Sequence, residues 1–211
     1  MKRRIIAFAP IKLNNERLPN KNIKYLGEKR LLEYSISVLL DSGCFDDVYV
    51  YCSQDSIIDL LPSGCKFLKR SESLDLPSTR GAEIYSEFAR QVESDFLFLF
   101  HVTSPYITVD SIKNSIASLD NNFDSAFAVR RVQTFCWNSE LTEINFNRLN
   151  PLPTQTINPV FIETSSFYLA PAIRFLVGQR YGINPHLVEV SRKESIDIDT
   201  IEDWLEAELY L

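Results

Sequence analysis

Phe96-Leu97-Phe98-Leu99-Phe100 is the most apolar run in the chain, and its flanks limit what it can become. Asp95 precedes it and His101 follows it, so the run has the length of a strand and falls short of a buried helix. A strand with no polar residue on either side of its pleat must be covered on both faces. Sheets covered in that way are mostly parallel, with helices as crossovers, so this segment alone points to an α/β arrangement.

The rest of the sequence alternates accordingly. Residues 5–9 form a short apolar run that stops at Pro10, as a buried strand would. Leu32, Ile36, Leu39 and Leu40 recur at helical spacing, and Gly43 follows where a left-handed cap would end the helix. The pattern then predicts a strand over 47–53, a short helix over 55–61, a strand over 66–68 and a helix over 81–92 with Ile84, Tyr85, Phe88 and Val92 on one side. Beyond the central strand come a helix over 109–119, strands over 125–129 and 161–169, and a closing helix over 201–209. Between them, residues 131–160 lose helical period and gather Pro151, Pro153 and Pro159 with several asparagines. They read as an irregular or β-rich insertion lobe of a single domain over 1–211, within reach of one hydrophobic core. The expected fold class is a three-layer α/β/α, Rossmann-like domain with a mostly parallel sheet.

Several function classes drop out on composition. Net charge is −6 and the basic residues are interspersed with acidic ones, so nucleic acid finds no continuous basic stripe. Cys44, Cys52, Cys65 and Cys136 lack CxxC spacing and companion histidines, and read as reduced thiols of a cytoplasmic protein. Lys2-Arg3-Arg4 starts like a signal peptide, but the apolar run behind it ends too soon, which leaves a polar lead-in to the first strand. No apolar stretch reaches the roughly 18 residues of a membrane span.

Two constellations carry chemistry. The loop Pro10 to Asn22 follows the first strand, where open α/β sheets place ligands. Its Lys12, Arg17 and Lys21 either surround a polyphosphate or belong to a solvated basic loop. Neither GxGxxG nor a Walker A lysine is present. The second constellation is Ser195-Ile196-Asp197-Ile198-Asp199-Thr200. Carboxylates at i and i+2 of an extended segment point to one side and can share a hard cation such as Mg²⁺. Alternatively, Asp199 or Thr200 caps the closing helix, whose first turn holds Glu202 and Asp203.

Taken together, these residues resemble the CMP-sialic-acid (acylneuraminate) synthetase family. SIDIDT is similar to its C-terminal motif and Thr103-Ser104-Pro105 to its PTSP turn. Phe67-Leu68-Lys69-Arg70 is similar to its LRP segment. Within the first loop, Arg17-Leu18-Pro19-Asn20-Lys21 also resembles the RLPGK of CMP-Kdo synthetases. The matches occur in the family's order along nearly the whole chain.

The resemblance implies a nucleotidyltransferase fold and a Mg²⁺-dependent transfer of CMP from CTP to an acidic or otherwise modified sugar. Lys12 stands at a phosphate-binding arginine, while Lys21 and Arg17 match the loop cations. Arg70 falls at an arginine near the nucleotide, and the backbone of Ala9, Pro10 and Ile11 is placed against cytosine and ribose. Asp197 and Asp199 match the metal pair, and His101, Thr103, Ser104 and Thr164 fall on the substrate side. The family also implies a homodimer formed through the lobe, where Phe135 and Trp137 stand.

Departures concentrate on the acceptor side. The first loop has no glycine between Pro10 and Leu26, and His101-Val102 stand where Gln-Pro is usual. Thr154 and Ile162 stand where arginines hold the sugar carboxylate, and Thr164-Ser165 where Asn-Gly is expected. Two other readings stay open: a nucleotide-sugar-dependent glycosyltransferase, and a nucleotide-binding subunit without catalysis.

Overall fold

The computed structural model describes residues 3–211, so that Lys2 of the basic lead-in lies outside them. In chain order the elements are β1 (Ile5–Pro10), β2 (Tyr25–Leu26), β3 (Lys29–Arg30), α1 (Leu31–Ser42), β4 (Asp47–Cys52), β5 (Lys66–Lys69) and α2 (Gly81–Gln91). There follow β6 (Phe96–Phe100), α3 (Val109–Ser118), β7 (Ser125–Val132), β8 (Val160–Pro171), α4 (Ala172–Leu176), β9 (Pro185–Glu189) and α5 (Ile201–Glu208). Seven strands make one sheet in the order β5-β4-β1-β6-β8-β7-β9, and β2 pairs with β3 apart from it. Every neighbouring pair in the large sheet is parallel except those of β8, which runs against both β6 and β7.

The expectation for β6 holds because its side chains divide between two cores. Phe98 and Phe100 join Ala7, Ala9, Val48 and Val50 beneath Leu32, Ile36 and Leu39 of α1 and Ile112 of α3. Leu97 and Leu99 join Ile6 and Phe8 beneath Tyr85 and Phe88 of α2 and Phe175 of α4. Phe8 stacks on Phe88 at 4.1 Å between ring centroids. Gly43 ends α1 in the left-handed region, at φ 63°, as its place after the apolar series requires.

A third, smaller cluster decides where the site forms. Leu18, Leu26 and Leu31, from the first loop and its neighbours, pack with Ile196, Ile198 and Trp204. Burying each such side chain stabilises by about 1.5–3 kcal/mol, so this cluster brings the first loop against the SIDIDT segment.

Some details differ from expectation. Residues 55–61 form a 3₁₀ turn over Asp55–Leu60, too short for an α-helix to nucleate. The lobe takes the irregular form: among its described residues the bridge between Trp137 and Glu143 stands alone, and it crowns the antiparallel pair β7 and β8. Register between those strands shifts at a bulge opposite Ala128, where Ser165 adopts φ 60°. Helix α4 and edge strand β9 escaped sequence reading, being five residues each, with Pro185 opening β9. Among the described residues no helix is long and apolar enough to cross a membrane, and the four cysteines are free thiols.

Candidate active site

Strands β1, β5 and β6 deliver their carboxyl ends to one cleft of about 450 Å³, lined among others by Pro10, Lys12, Arg17, Lys21, Arg70, Asp75, Tyr85 and His101. The three cations of the first loop are thereby brought together. With no glycine available, the loop meets its need for a left-handed residue with Asn20, at φ 56°, a residue type that tolerates it. Asn22 then turns inward and donates its side-chain N–H to the Lys12 carbonyl at 2.8 Å, which closes the loop on itself.

Two of these cations are engaged with the chain's own carboxylate. Arg17 Nη2 lies 2.9 Å from Asp199 Oδ2, and Lys21 Nζ lies 2.6 Å from Asp199 Oδ1. Lys21, largely buried, also donates to the Ile198 carbonyl at 2.7 Å. Lys12 makes no ion pair among the described residues. Thr200, not Asp199, caps α5: its hydroxyl accepts the Asp203 N–H, and Asp203 Oδ2 accepts the N–H groups of Asp199 and Thr200. The Asp199 side chain is thus released from the capping role that its position left open.

Asp197 stands on a different wall. It lines a second cavity of about 450 Å³ together with Arg130, Glu163, Thr164, Ser165 and Asp203. Its Oδ1 is buried without a hydrogen-bond partner. Burial raises its carboxyl above the usual range and nearby Asp199 adds to the shift, against a hydrogen bond from Thr103. Asp197 thus lines the second cavity, while Asp199 is held by Arg17 and Lys21 of the first. Among the described residues no group of three or more candidate ligands assembles, yet Mg²⁺ commonly takes one or two carboxylates with waters and phosphates completing the shell. A buried, unpartnered carboxylate oxygen beside a second carboxylate fits such an ion.

At the end of β6, His101 bonds through its ring to the Ser165 backbone, and its Nε2 lies 3.3 Å from the Tyr85 hydroxyl. Burial, aided by the nearby Arg180 guanidinium, pulls the imidazole down to about 4. It is neutral at physiological pH, with one ring nitrogen as donor to the carbonyl and Nε2 as acceptor. Arg180 stands over the Tyr168 ring at 4.3 Å and pairs with Glu163 at 3.2 Å, and the Tyr168 hydroxyl donates to that same carboxylate.

Other predicted residues lie deeper. Arg70 is 2% exposed, forms an ion pair with Asp75 and donates to the Ile11 carbonyl at 3.1 Å. Ser53 donates to the other oxygen of Asp75. Ala9 and Ile11 are sunk in the core, and the Ile11 N–H is bonded to the Tyr51 carbonyl at 3.0 Å. Of the three backbone positions expected at the base, Pro10 lines the cleft. Ser104 is fully buried and lines neither cavity. Thr103 instead meets the SIDIDT segment, its carbonyl accepting the Ile198 N–H at 2.8 Å. Thr164 bonds to Ser166 at 2.9 Å and lines the second cavity.

Sequence reasoning missed Asp75 and Arg130 as parts of these walls, and Arg180 as the ion-pair partner of Glu163 behind the second one. Each belongs to a segment without a motif, and only the folding of strands β7 and β8 and of the loop after β5 brings them in.

Comparison with known proteins gives this geometry a context. A family model described as cytidylyltransferase matches residues 6–148. N-acylneuraminate cytidylyltransferase A of Danio rerio is 27% identical over 98% of this chain and 50% of its own length. The chain spans about half the length of the first curated relatives it matches. CMP-N,N'-diacetyllegionaminic acid synthase of Legionella pneumophila is 25% identical, over 95% of this chain and 93% of that protein. Among solved structures, a CMP:2-keto-3-deoxy-manno-octonic acid synthetase complexed with CTP superposes with a TM-score of 0.72 over 98% of both chains. At 12% identity, that likeness is one of fold.

Proposed function

We propose that this chain, which belongs to the cytidylyltransferase family, transfers CMP from CTP to the hydroxyl of an acidic or modified sugar and releases pyrophosphate. The observation that carries this reading is the convergence of Lys12, Arg17 and Lys21 on one cleft at the carboxyl ends of the parallel strands. Three cations suit a triphosphate, and they offset the charge that builds on it as the α-phosphorus is attacked. The second cavity, across the Asp197–Asp199 segment, is then the acceptor's place, so that its hydroxyl approaches the α-phosphorus in line.

Mg²⁺, held by Asp197 and Asp199, would lower the pKa of the attacking hydroxyl and neutralise phosphate charge. Lys12, Arg17 and Lys21 bind and orient the triphosphate. Arg70 acts at one remove, since its bonds to Asp75 and the Ile11 carbonyl fix the nucleotide wall. His101, neutral and bonded on both sides, orients groups instead of carrying protons. Thr164, Glu163 and Arg180 supply polar contacts to the acceptor, with no arginine at Thr154 or Ile162 to grip its carboxylate. The crown of the β7–β8 pair exposes Phe135, Trp137, Leu141 and Ile144, an apolar surface suited to a second copy in a cytoplasmic homodimer.

Thermal shifts with CTP, UTP, ATP and GTP, each with and without Mg²⁺, test the nucleotide half. A ligand at about 100 times its Kd adds roughly 2.7 kcal/mol, so a selective shift with CTP and Mg²⁺ is expected. Pyrophosphate release with an acceptor panel tests the rest, and the absence of any nucleotide shift would leave a non-catalytic subunit as the better reading.

A further inference from the structure

The contacts of Asp199 go beyond those of a metal ligand. We propose that Asp199 is a built-in stand-in for the incoming polyphosphate: its carboxylate holds Arg17 and Lys21 until a divalent cation draws it away, so that cation and polyphosphate bind the cleft cooperatively. The inference rests on the reading above that the first-loop cations receive a polyphosphate.

Four observations support it. Each oxygen of Asp199 serves one cation, Oδ2 to Arg17 at 2.9 Å and Oδ1 to Lys21 at 2.6 Å, as two phosphate oxygens would. The Arg17 side chain is 69% exposed while Leu18 beside it is anchored in the core, so the guanidinium can change partner without moving the loop. On the other side, the Asp199 N–H is held by Asp203 at 2.9 Å, so the carboxylate can turn about a fixed backbone. Finally, the direction of the turn is given by Asp197, whose buried Oδ1 lacks a partner and gains one when a cation is shared between the two carboxylates. Exposed ion pairs such as Arg17–Asp199 are weak, so exchanging one anion for a more highly charged one is feasible.

The arrangement separates two effects that a simple metal site would not. Without divalent cation, Arg17 is occupied and contributes little to polyphosphate binding. With it, Arg17 is released and contributes fully. Inorganic tripolyphosphate, which has no base, is the probe, titrated calorimetrically into the full chain in EDTA and in excess Mg²⁺. Arg17→Ala should leave affinity in EDTA within about twofold of wild type and weaken it about tenfold in Mg²⁺. Asp199→Asn should bind tripolyphosphate about tenfold more tightly than wild type in EDTA, a gain of about 1.4 kcal/mol. Glu16→Gln removes the same charge from the cleft wall without freeing either cation and should gain no more than about twofold.

Equal weakening by Arg17→Ala in both conditions would overturn the proposal. So would a gain in Asp199→Asn no larger than in Glu16→Gln, or no tripolyphosphate binding at all. Should Asp199→Asn fail to fold, the two Arg17→Ala titrations decide alone. A cleft that shows this coupling but no preference for CTP would refute the cytidylyltransferase reading and leave the present one standing.

Discussion

The Tyr85 hydroxyl and His101 Nε2 meet at 3.3 Å, tying helix α2 to the end of the central strand at the floor of the cleft. Burial keeps His101 neutral, so that Nε2 accepts here, by holding the imidazole at about 4, below the roughly 6.5 of an exposed histidine. Between those values the unfolded chain binds the extra proton and the folded chain does not. The stability gained from neutral His101 is therefore complete above pH 6.5 and declines as pH falls toward 4. The ceiling is about 3 kcal/mol, reduced because one edge of the ring meets the cleft. Melting temperatures at pH 7 and pH 4.5 should differ less for His101→Gln than for wild type.

Arg70→Met is expected to be among the most damaging substitutions in the cleft wall. It leaves Asp75 as a nearly buried carboxylate without its cation, and breaking such pairs from one side costs about 3–5 kcal/mol. Urea denaturation should show this loss, and the double variant with Asp75→Asn should recover part of it.

Ser165 occupies a left-handed conformation in the bulge of β8, at φ 60°. Ser165→Gly should be neutral or stabilising by up to about 1 kcal/mol, whereas Ser165→Val should destabilise by about 1–2 kcal/mol because its branched Cβ crowds the backbone there. Thermal denaturation of both variants against wild type provides the measurement.

Arg180→Gln should separate the two substrates. Arg180 belongs to the Glu163 and Tyr168 group, and Glu163 lines the second cavity, so the acceptor KM should rise about tenfold while the CTP KM stays within about twofold, as expected for uniform binding lost on one side. A change confined to CTP would instead place Arg180 on the nucleotide side.

The proposed homodimer should fall to monomers in Trp137→Glu, as read by light scattering, since the substitution places a charge on the apolar crown that holds Phe135 and Phe146 about it. Retention of the dimer would move the subunit contact elsewhere.

What the sequence disclosed follows the physics of each element. FLFLF could be assigned because a strand without polar residues has few other fates, and α1 because Leu32, Ile36 and Leu39 share one helical face and Gly43 marks its end. Lys12, Arg17 and Lys21 were legible as a group because one short loop carries them. Asp199 was ambiguous between cap and site: both roles suit a carboxylate before a helix, and only the Leu18–Ile198–Trp204 packing brings Arg17 and Lys21 within its reach. Arg180 and Asp75 could not be read, because their partners Glu163 and Arg70 matter only after the chain has crossed the sheet or turned back on itself. Strand β9 was hidden by its brevity and by its place at an edge, where pairing, not hydrophobicity, defines it.

The reversal of β8 has a consequence for how such a fold can diversify. Parallel strands offer the cleft their exits, whereas β8 offers its entrance, so the segment leading into it, residues 133–159, ends beside the second cavity and carries no strand of the sheet. Its length and side chains can be rewritten without shifting the register of any neighbour. On the proposed assignment of the second cavity to the acceptor, inheritance of a new acceptor range amounts to exchanging one hairpin crown and the few residues that open β8, while the β1 side of the cleft is passed on unchanged.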